Sequence, residues 1–150
     1  LILQIAGLIR DETNLVGILA NVSAALHDAF PERFFWVGFY LQENGNMLRL
    51  GPFQGSVACY VIPFGKGVCG KAWEEERTLI VPDVEKFPGH IACSSLSRSE
   101  IVVPMYDDSH TFRGVLDIDS TRLNDFNEDD KEGLERIIEL LMAETQDLFQ

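Results

Sequence analysis

The sequence predicts an α+β fold: a central, mostly antiparallel sheet of about six strands, with an amphipathic helix near each end of the chain. Three observations carry this. Apolar residues recur at helical spacing from Leu15 to Phe30 and again from Leu134 to Leu141. Between these stretches, short runs of β-branched and aromatic residues alternate with Asn, Gly, Asp and Pro turn signals. No repeat, linker or low-complexity tract divides the 150 residues, so a single domain over 1–150 is expected.

The elements follow in order. The chain begins at Leu1 in what reads as the middle of a helix, so native residues are expected before it. Leu15, Val16, Ile18, Leu19, Val22, Ala25, Leu26 and Phe30 define a helix over roughly 12–29. Pro31 ends it, because the residue before a proline disfavours the α region. Phe34 to Leu41 is a buried strand, Glu43-Asn44-Gly45-Asn46 a hairpin turn, and Met47 to Phe53 the return strand. A third strand is expected near Val57–Pro63. Gly65-Lys66-Gly67-Val68-Cys69-Gly70 turns into a short helix from Lys71 to Glu76, and Thr78–Val81 is another short strand. The irregular stretch 82–99 is long for a compact domain, which suggests function. Ile101–Met105 and Arg113–Asp119 form the last hairpin about Asp107–His110. The closing helix carries Leu134, Ile137, Ile138, Leu141 and Leu148 on one face and packs beside the first helix.

The charge balance narrows the function. Net charge is −12 with a pI near 4.5, a surface that repels phosphate backbones and anionic lipid, so neither nucleic acid nor membrane is an expected partner. No apolar run is long enough to span a bilayer, and no basic-then-apolar leader is visible. The expectation is a soluble, cytoplasmic protein. The three cysteines agree with a reducing compartment, since an odd number cannot all be paired.

Those cysteines are set among small residues: Ala58-Cys59-Tyr60, Val68-Cys69-Gly70 and Ala92-Cys93-Ser94. Cys93, with His90 before it and serines after it, can be a loop thiol activated by hydrogen bonds and an imidazolium, or an ordinary loop cysteine. Cys69 opens a short helix, whose unpaired amides favour a thiolate; otherwise it fills the turn. Cys59, between Val57 and Val61, reads as a core cysteine unless the fold brings it out. A Cys₃His metal set with His90 would have gaps that match no zinc ribbon or finger, so no metal and no cofactor is expected.

Asp117 and Asp119 alternate with Leu116 and Ile118, which puts both carboxylates on one strand face about 6.5–7 Å apart. If the strands of Glu100 and Asp117 are neighbours, three carboxyls converge near Cys93. Such a site suits an amine, and one carboxyl raised by the others can hold a proton to donate. Trp36 and Tyr40 share a strand face and can wall a small ligand with a methyl-bearing tail.

These motifs, taken together, resemble the free methionine-(R)-sulfoxide reductases, small enzymes of the GAF fold. The resemblance spans nearly the whole chain. It is carried by Gly51-Pro52-Phe53-Gln54-Gly55 leading to Ala58-Cys59, by Gly65–Gly70, by Pro88–Cys93, by Ser99–Pro104 and by Gly114–Asp119. It implies a catalytic role for Cys93, Cys59 and Cys69. Cys93 is the nucleophile that becomes a sulfenic acid, and Cys59 resolves it as a disulfide reduced by thioredoxin. Cys69 is a third thiol that shuttles or substitutes as resolver. The resemblance also implies that Glu100, Asp117 and Asp119 bind the ammonium and sulfoxide ends of free methionine-(R)-sulfoxide, with Trp36 and Tyr40 around its methyl. Members commonly have an acid directly after the nucleophile, whereas this chain has Ser94. Two other readings share the fold: a non-catalytic small-ligand-binding GAF module, and a thiol redox sensor switching through Cys59 and Cys93. The sequence leaves open whether the protein forms a homodimer.

Overall fold

The computed structural model of the chain describes residues 1–149. Its order is α1 (Ile2–Ile9), α2 (Leu15–Ala29), β1 (Trp36–Glu43), β2 (Met47–Gln54), β3 (Val61–Pro63), α3 (Gly67–Glu75), β4 (Leu79–Val81), β5 (Ser99–Tyr106), β6 (Phe112–Ser120) and α4 (Glu128–Thr145). Short 3-10 turns lie at Val84–Lys86 and Gln146–Leu148. The six strands form one sheet in the order β3-β2-β1-β6-β5-β4, and every pairing is antiparallel. Two hairpins, β1-β2 and β5-β6, are joined at the sheet centre by β1 and β6.

Period-two alternation divides the central strands between two cores. Val37 and Phe39 of β1, Ile101, Val103 and Met105 of β5, and Leu116 and Ile118 of β6 face α2 and α4. There they meet Ile18, Leu19, Val22 and Leu26 of α2 and Leu134, Ile137, Ile138 and Leu141 of α4. Ile5 and Ile9 of α1 close this core, and α1 packs on both α2 and α4. On the opposite face, Tyr40, Leu48, Ile62, Val102 and Val115 pack with Val68, Cys69 and Ala72 of α3. The sheet is therefore covered on both faces, with three helices on one side and one on the other.

Local chemistry accounts for the ends. Asn127 and Asp130 form a reciprocal capping box at the start of α4, satisfying two otherwise orphaned amides. Arg33 ties the approach to β1 to that cap, its guanidinium donating to Asp130 Oδ2 at 2.7 Å and to the Asp125 carbonyl at 2.6 Å.

Several boundaries move from the expected ones. The strand expected near Val57–Pro63 begins only at Val61, because the chain ahead of it leaves the ladder to reach Cys93. α3 starts at Gly67 rather than Lys71; the glycine-rich turn is itself its first turn. A Cβ on Gly70 would lie 2.7 Å from the Pro63 carbonyl oxygen, so glycine is what allows α3 this close to β3. Val16 is 67% exposed, off the apolar stripe of α2, and Leu148 lies beyond α4 yet still packs on its core.

Leu116 is fully buried at the centre of the helix-covered face. Leu116→Ala is expected to cost about 2–5 kcal/mol of stability in urea unfolding, and a loss under about 1 kcal/mol would contradict this placement.

Candidate active site

Cross-strand register builds the floor of the site. Trp36 pairs with Asp119, and Asp119 with Glu100, so these three side chains form one row across β1, β6 and β5. The next row on the same face is Gly38, Asp117 and Val102. Neighbouring strands lie about 4.8 Å apart, so the three carboxyls are brought within contact range of one another. Glu100 and Asp117 are buried, at 6% and 5% exposure, and Asp119 is half-buried.

Burial raises the pKa of all three carboxyls. Glu100 is pushed well above the usual carboxylate range, first by burial and then by the charges of Asp117 and Asp119. Asp119 is raised by burial and by Asp117. Asp117 is raised by burial, but less far, because Glu100 and Cys69 stabilise its charged form. Asp117 Oδ1 is buried and has no hydrogen-bond partner. A proton on Glu100 is the donor such an oxygen calls for. Asp117 is thus the carboxyl that ionises first, while Glu100 and Asp119 hold their protons more strongly.

Cys69 takes part in this cluster. Its sulfur and oxygens of Glu100 and Asp117 all lie within 4.8 Å of one another. The helix start of α3 made a low-pKa thiol one of two readings, the other being a residue that fills the turn; its pKa is well above the usual value. Burial dominates, and the charges of Asp117, Glu100 and Asp119 add to it, outweighing the few amides of a helix start. A divalent ion in this trio would have to displace protons from both Cys69 and Glu100.

Trp36 and Tyr40 stand over this floor. Gly38 sits between them, and a Cβ there would lie 2.6 Å from the Trp36 ring, so its absence lets the indole lie across the sheet. Trp36 stacks on Phe53 at 5.2 Å and on Tyr40 at 5.9 Å between centroids. Their polar tips are engaged: Trp36 Nε1 donates to the Ser56 carbonyl and the Tyr40 hydroxyl to the Cys59 carbonyl, each at 3.0 Å. The two aromatics thus hold the segment that carries Cys59. No sequence pattern discloses this role, since the acceptors are backbone atoms.

Cys59 and Cys93 form a disulfide, with Cα atoms 5.3 Å apart. Cys59 is therefore not a core cysteine, and the Cys₃His metal set cannot form while two of its thiols are bonded to each other. His90 does not supply an imidazolium: burial lowers its pKa below the usual value, against a smaller opposite effect of Glu85, so it is neutral at neutral pH. Cys69 is the one free thiol among the described residues. The cavity under the bridge is about 40 Å³ and is lined by Cys69, Cys93, Glu100, Asp117, Asp119 and Trp36, among others. Tyr40 and His90 also line it, as do Val57, Ile62 and Ile91, which the sequence did not single out. Every expected site residue except Cys59 reaches this one cavity, and Cys59 is bonded to its wall.

Fold and site together define a GAF domain with a thiol-bearing acidic pocket. The GAF domain family matches residues 10–143. The free methionine-R-sulfoxide reductase of Saccharomyces cerevisiae is 44% identical over 146 residues, covering 94% of this chain and 81% of that protein. GAF domain-containing protein A of Dictyostelium discoideum is 59% identical over 138 residues, covering 92% and 85%. The structure of the free methionine-R-sulfoxide reductase of Neisseria meningitidis in complex with its substrate superposes with a TM-score of 0.92 at 49% identity, covering 97% of this chain and 86% of that one. The chain belongs to the GAF domain family, among the free methionine-R-sulfoxide reductases.

The raised carboxyls make stability pH-dependent. A carboxyl whose folded pKa lies above its unfolded value, about 4, favours folding while protonated, and that contribution is lost as pH rises through the folded pKa. Thermal denaturation is therefore expected to give a lower Tm at pH 8 than at pH 5, with Glu100→Gln raising the Tm at pH 8 and flattening the dependence. A pH-independent difference between the two proteins would contradict this assignment.

Proposed function

We propose that this chain is a single catalytic domain that reduces free L-methionine-(R)-sulfoxide to L-methionine. The observation that carries this is Cys93, bridged to Cys59 at the wall of a cavity floored by three protonatable carboxyls. The names of the yeast and Neisseria relatives support the substrate.

In the reduced enzyme the Cys93 thiolate attacks the sulfoxide sulfur. Glu100, held protonated by burial and by its acidic neighbours, supplies the proton to the sulfoxide oxygen. The oxygen passes to Cys93 as a sulfenic acid and the sulfoxide leaves as the thioether of methionine. Asp117, the carboxyl that ionises most readily, takes the substrate ammonium, whose positive charge draws Asp119 beside it into its ionised form as well. The aromatic faces of Trp36 and Tyr40 flank the S-methyl. A peptide-bonded methionine sulfoxide has no ammonium to match these carboxylates, which selects the free amino acid.

The Cys59 thiol then displaces water from the sulfenic acid and forms the bridge. Thioredoxin reduces the bridge, delivering two electrons and two protons and restoring both thiols. Cys69, whose thiol burial keeps protonated, acts as a hydrogen-bond donor to Asp117 rather than as the nucleophile. No metal or cofactor enters the cycle. Its dependence on a cellular dithiol places it in a reducing cytoplasm, returning methionine oxidised under stress to use.

Coupled NADPH consumption with thioredoxin and thioredoxin reductase is expected on the R-sulfoxide and not on the S form. Cys93→Ser abolishes turnover in this scheme, and a rate near that of the unaltered enzyme would move the nucleophile to Cys69. Cys59→Ser should release about one methionine per enzyme and then stall with thioredoxin; sustained turnover would make Cys69 the resolving thiol. Asp119→Asn or Glu100→Gln should lower kcat/KM on the order of 10–1,000-fold, and unchanged kinetics would remove them from the chemistry.

A further inference from the structure

We propose that the uncharged surface around the Cys59–Cys93 bridge is the docking face for a dithiol protein with an apolar rim and acidic flanks. Its thiolate attacks the Cys59 sulfur and expels Cys93 into the cavity. The purpose of this surface rests on the reductase reading, but the surface itself stands on separate observations. The first is where charge is missing. A quarter of the chain is charged, at 24%, yet no Asp, Glu, Lys or Arg occurs from Leu50 through Gly65 or from Phe87 through Ser97. These are the two segments that carry the bridged cysteines.

Exposed apolar side chains mark the same place. Val57, Tyr60 and Leu96 are 86%, 76% and 58% exposed. Each lies within three residues of a bridged cysteine, so chain length alone keeps its Cα within roughly 11 Å of that cysteine's. Large apolar side chains grouped about one point on an otherwise charged surface are characteristic of interfaces.

The border carries positive charge. Lys66 ends the first uncharged run, and Lys86 and Arg98 bracket the second. All three are exposed and, among the described residues, form no ion pair. In a chain of net charge −12, these unpaired cations stand at the ends of both uncharged runs, with Glu85 beside Lys86 as the nearest acid, and they suit a partner whose own dithiol is flanked by carboxylates.

Geometry sets the direction of attack. Cys93 lines the cavity and Cys59 does not, and the carbonyls of Ser56 and Cys59 are pinned from inside by Trp36 and Tyr40. Cys59, half-buried like Cys93 but outside the cavity lining, is the sulfur offered to a partner arriving from outside. The new bond joins the partner's sulfur to Cys59 as the Cys59–Cys93 bond breaks, and Cys93 leaves as a thiolate. The partner's second thiol then attacks its own sulfur of the mixed disulfide, releasing Cys59. Two electrons pass from the partner dithiol to the bridge, and the partner leaves oxidised.

The test measures reduction of the purified oxidised protein by thiol release, with no sulfoxide present. Thioredoxin and dithiothreitol are compared on the unaltered protein and on the double variant Tyr60→Glu, Leu96→Glu, neither residue lining the cavity. The rate with thioredoxin should fall by about tenfold or more while the rate with dithiothreitol changes less than about twofold. The thioredoxin rate on the unaltered protein should also fall as salt rises. An equal loss with both reductants, or no loss, overturns the docking face. Thioredoxin lacking its second cysteine should be trapped on Cys59 in peptide mass mapping, and trapping on Cys93 overturns the direction of attack. Failure of the reductase reading is seen separately, as absence of methionine formation with dithiothreitol as reductant.

Discussion

Glu100, Asp117 and Asp119 come from adjacent positions of the β5-β6 hairpin, on a face whose other side chains are apolar. A carboxylate here loses much of its hydration, and each further negative charge raises the cost. The sheet tolerates the cluster because the same two strands turn Ile101, Val103, Leu116 and Ile118 to the other side, into the fully packed core against α2 and α4. Period-two alternation therefore does two jobs in one hairpin. It places the stabilising surface and the destabilising acids back to back, so the stability contributed by one face offsets the strain of the other. Loss of stability where function needs unfavourable groups is a common trade in enzymes.

The disulfide controls how this acidic floor meets solvent. It joins the segment after β2 to the long segment after β4, directly over the cavity. At about 40 Å³, the space beneath the bridge is well below the roughly 150 Å³ of a cavity that admits benzene, so a free amino acid does not fit there while the bridge is closed. In the proposed cycle, reduction must therefore come before substrate entry, and the reductant must act from outside. The long irregular segment 82–99 serves this purpose better than regular structure would. Before β5 begins at Ser99, only the 3-10 turn at Val84–Lys86 has regular form, and the backbone of Val84 is tied to the Arg98 carbonyl. The part beyond, from Phe87 to Ser97, can then carry Cys93 with few ties to the sheet.

What the sequence disclosed follows the range of the interactions. The hairpins and the convergence of Asp117, Asp119 and Glu100 were legible because strand alternation and tight turns are local patterns, and antiparallel pairing of β5 with β6 fixes the register. The two terminal helical regions were legible for the same reason. The thiol states were not. Cys69 looked like an activated thiol because only its helix start was visible, whereas its pKa is decided by burial and by acids some thirty to fifty residues away. His90 failed in the same way, its charge lost to burial by distant groups. The pairing of Cys59 with Cys93 came from the family resemblance and not from spacing, and it shortened β3 in a manner no propensity would foretell.

Trp36 and Tyr40 show how the two halves of the site are mechanically joined. Their rings belong to the core on the α3 side of the sheet, Trp36 in the row of Asp119 and Glu100 and Tyr40 in the row of Val115, and both are nearly fully buried. Their only polar atoms donate outward to carbonyls of the segment that carries Cys59. A buried donor without its acceptor costs more than the bond itself contributes, so the Cys59 segment is held against these two rings rather than merely resting there. Cys93 has no comparable tether from β1. Opening the bridge therefore frees Cys93 more than Cys59, and the thiol that must meet substrate in the proposed cycle is the one the fold leaves free to move.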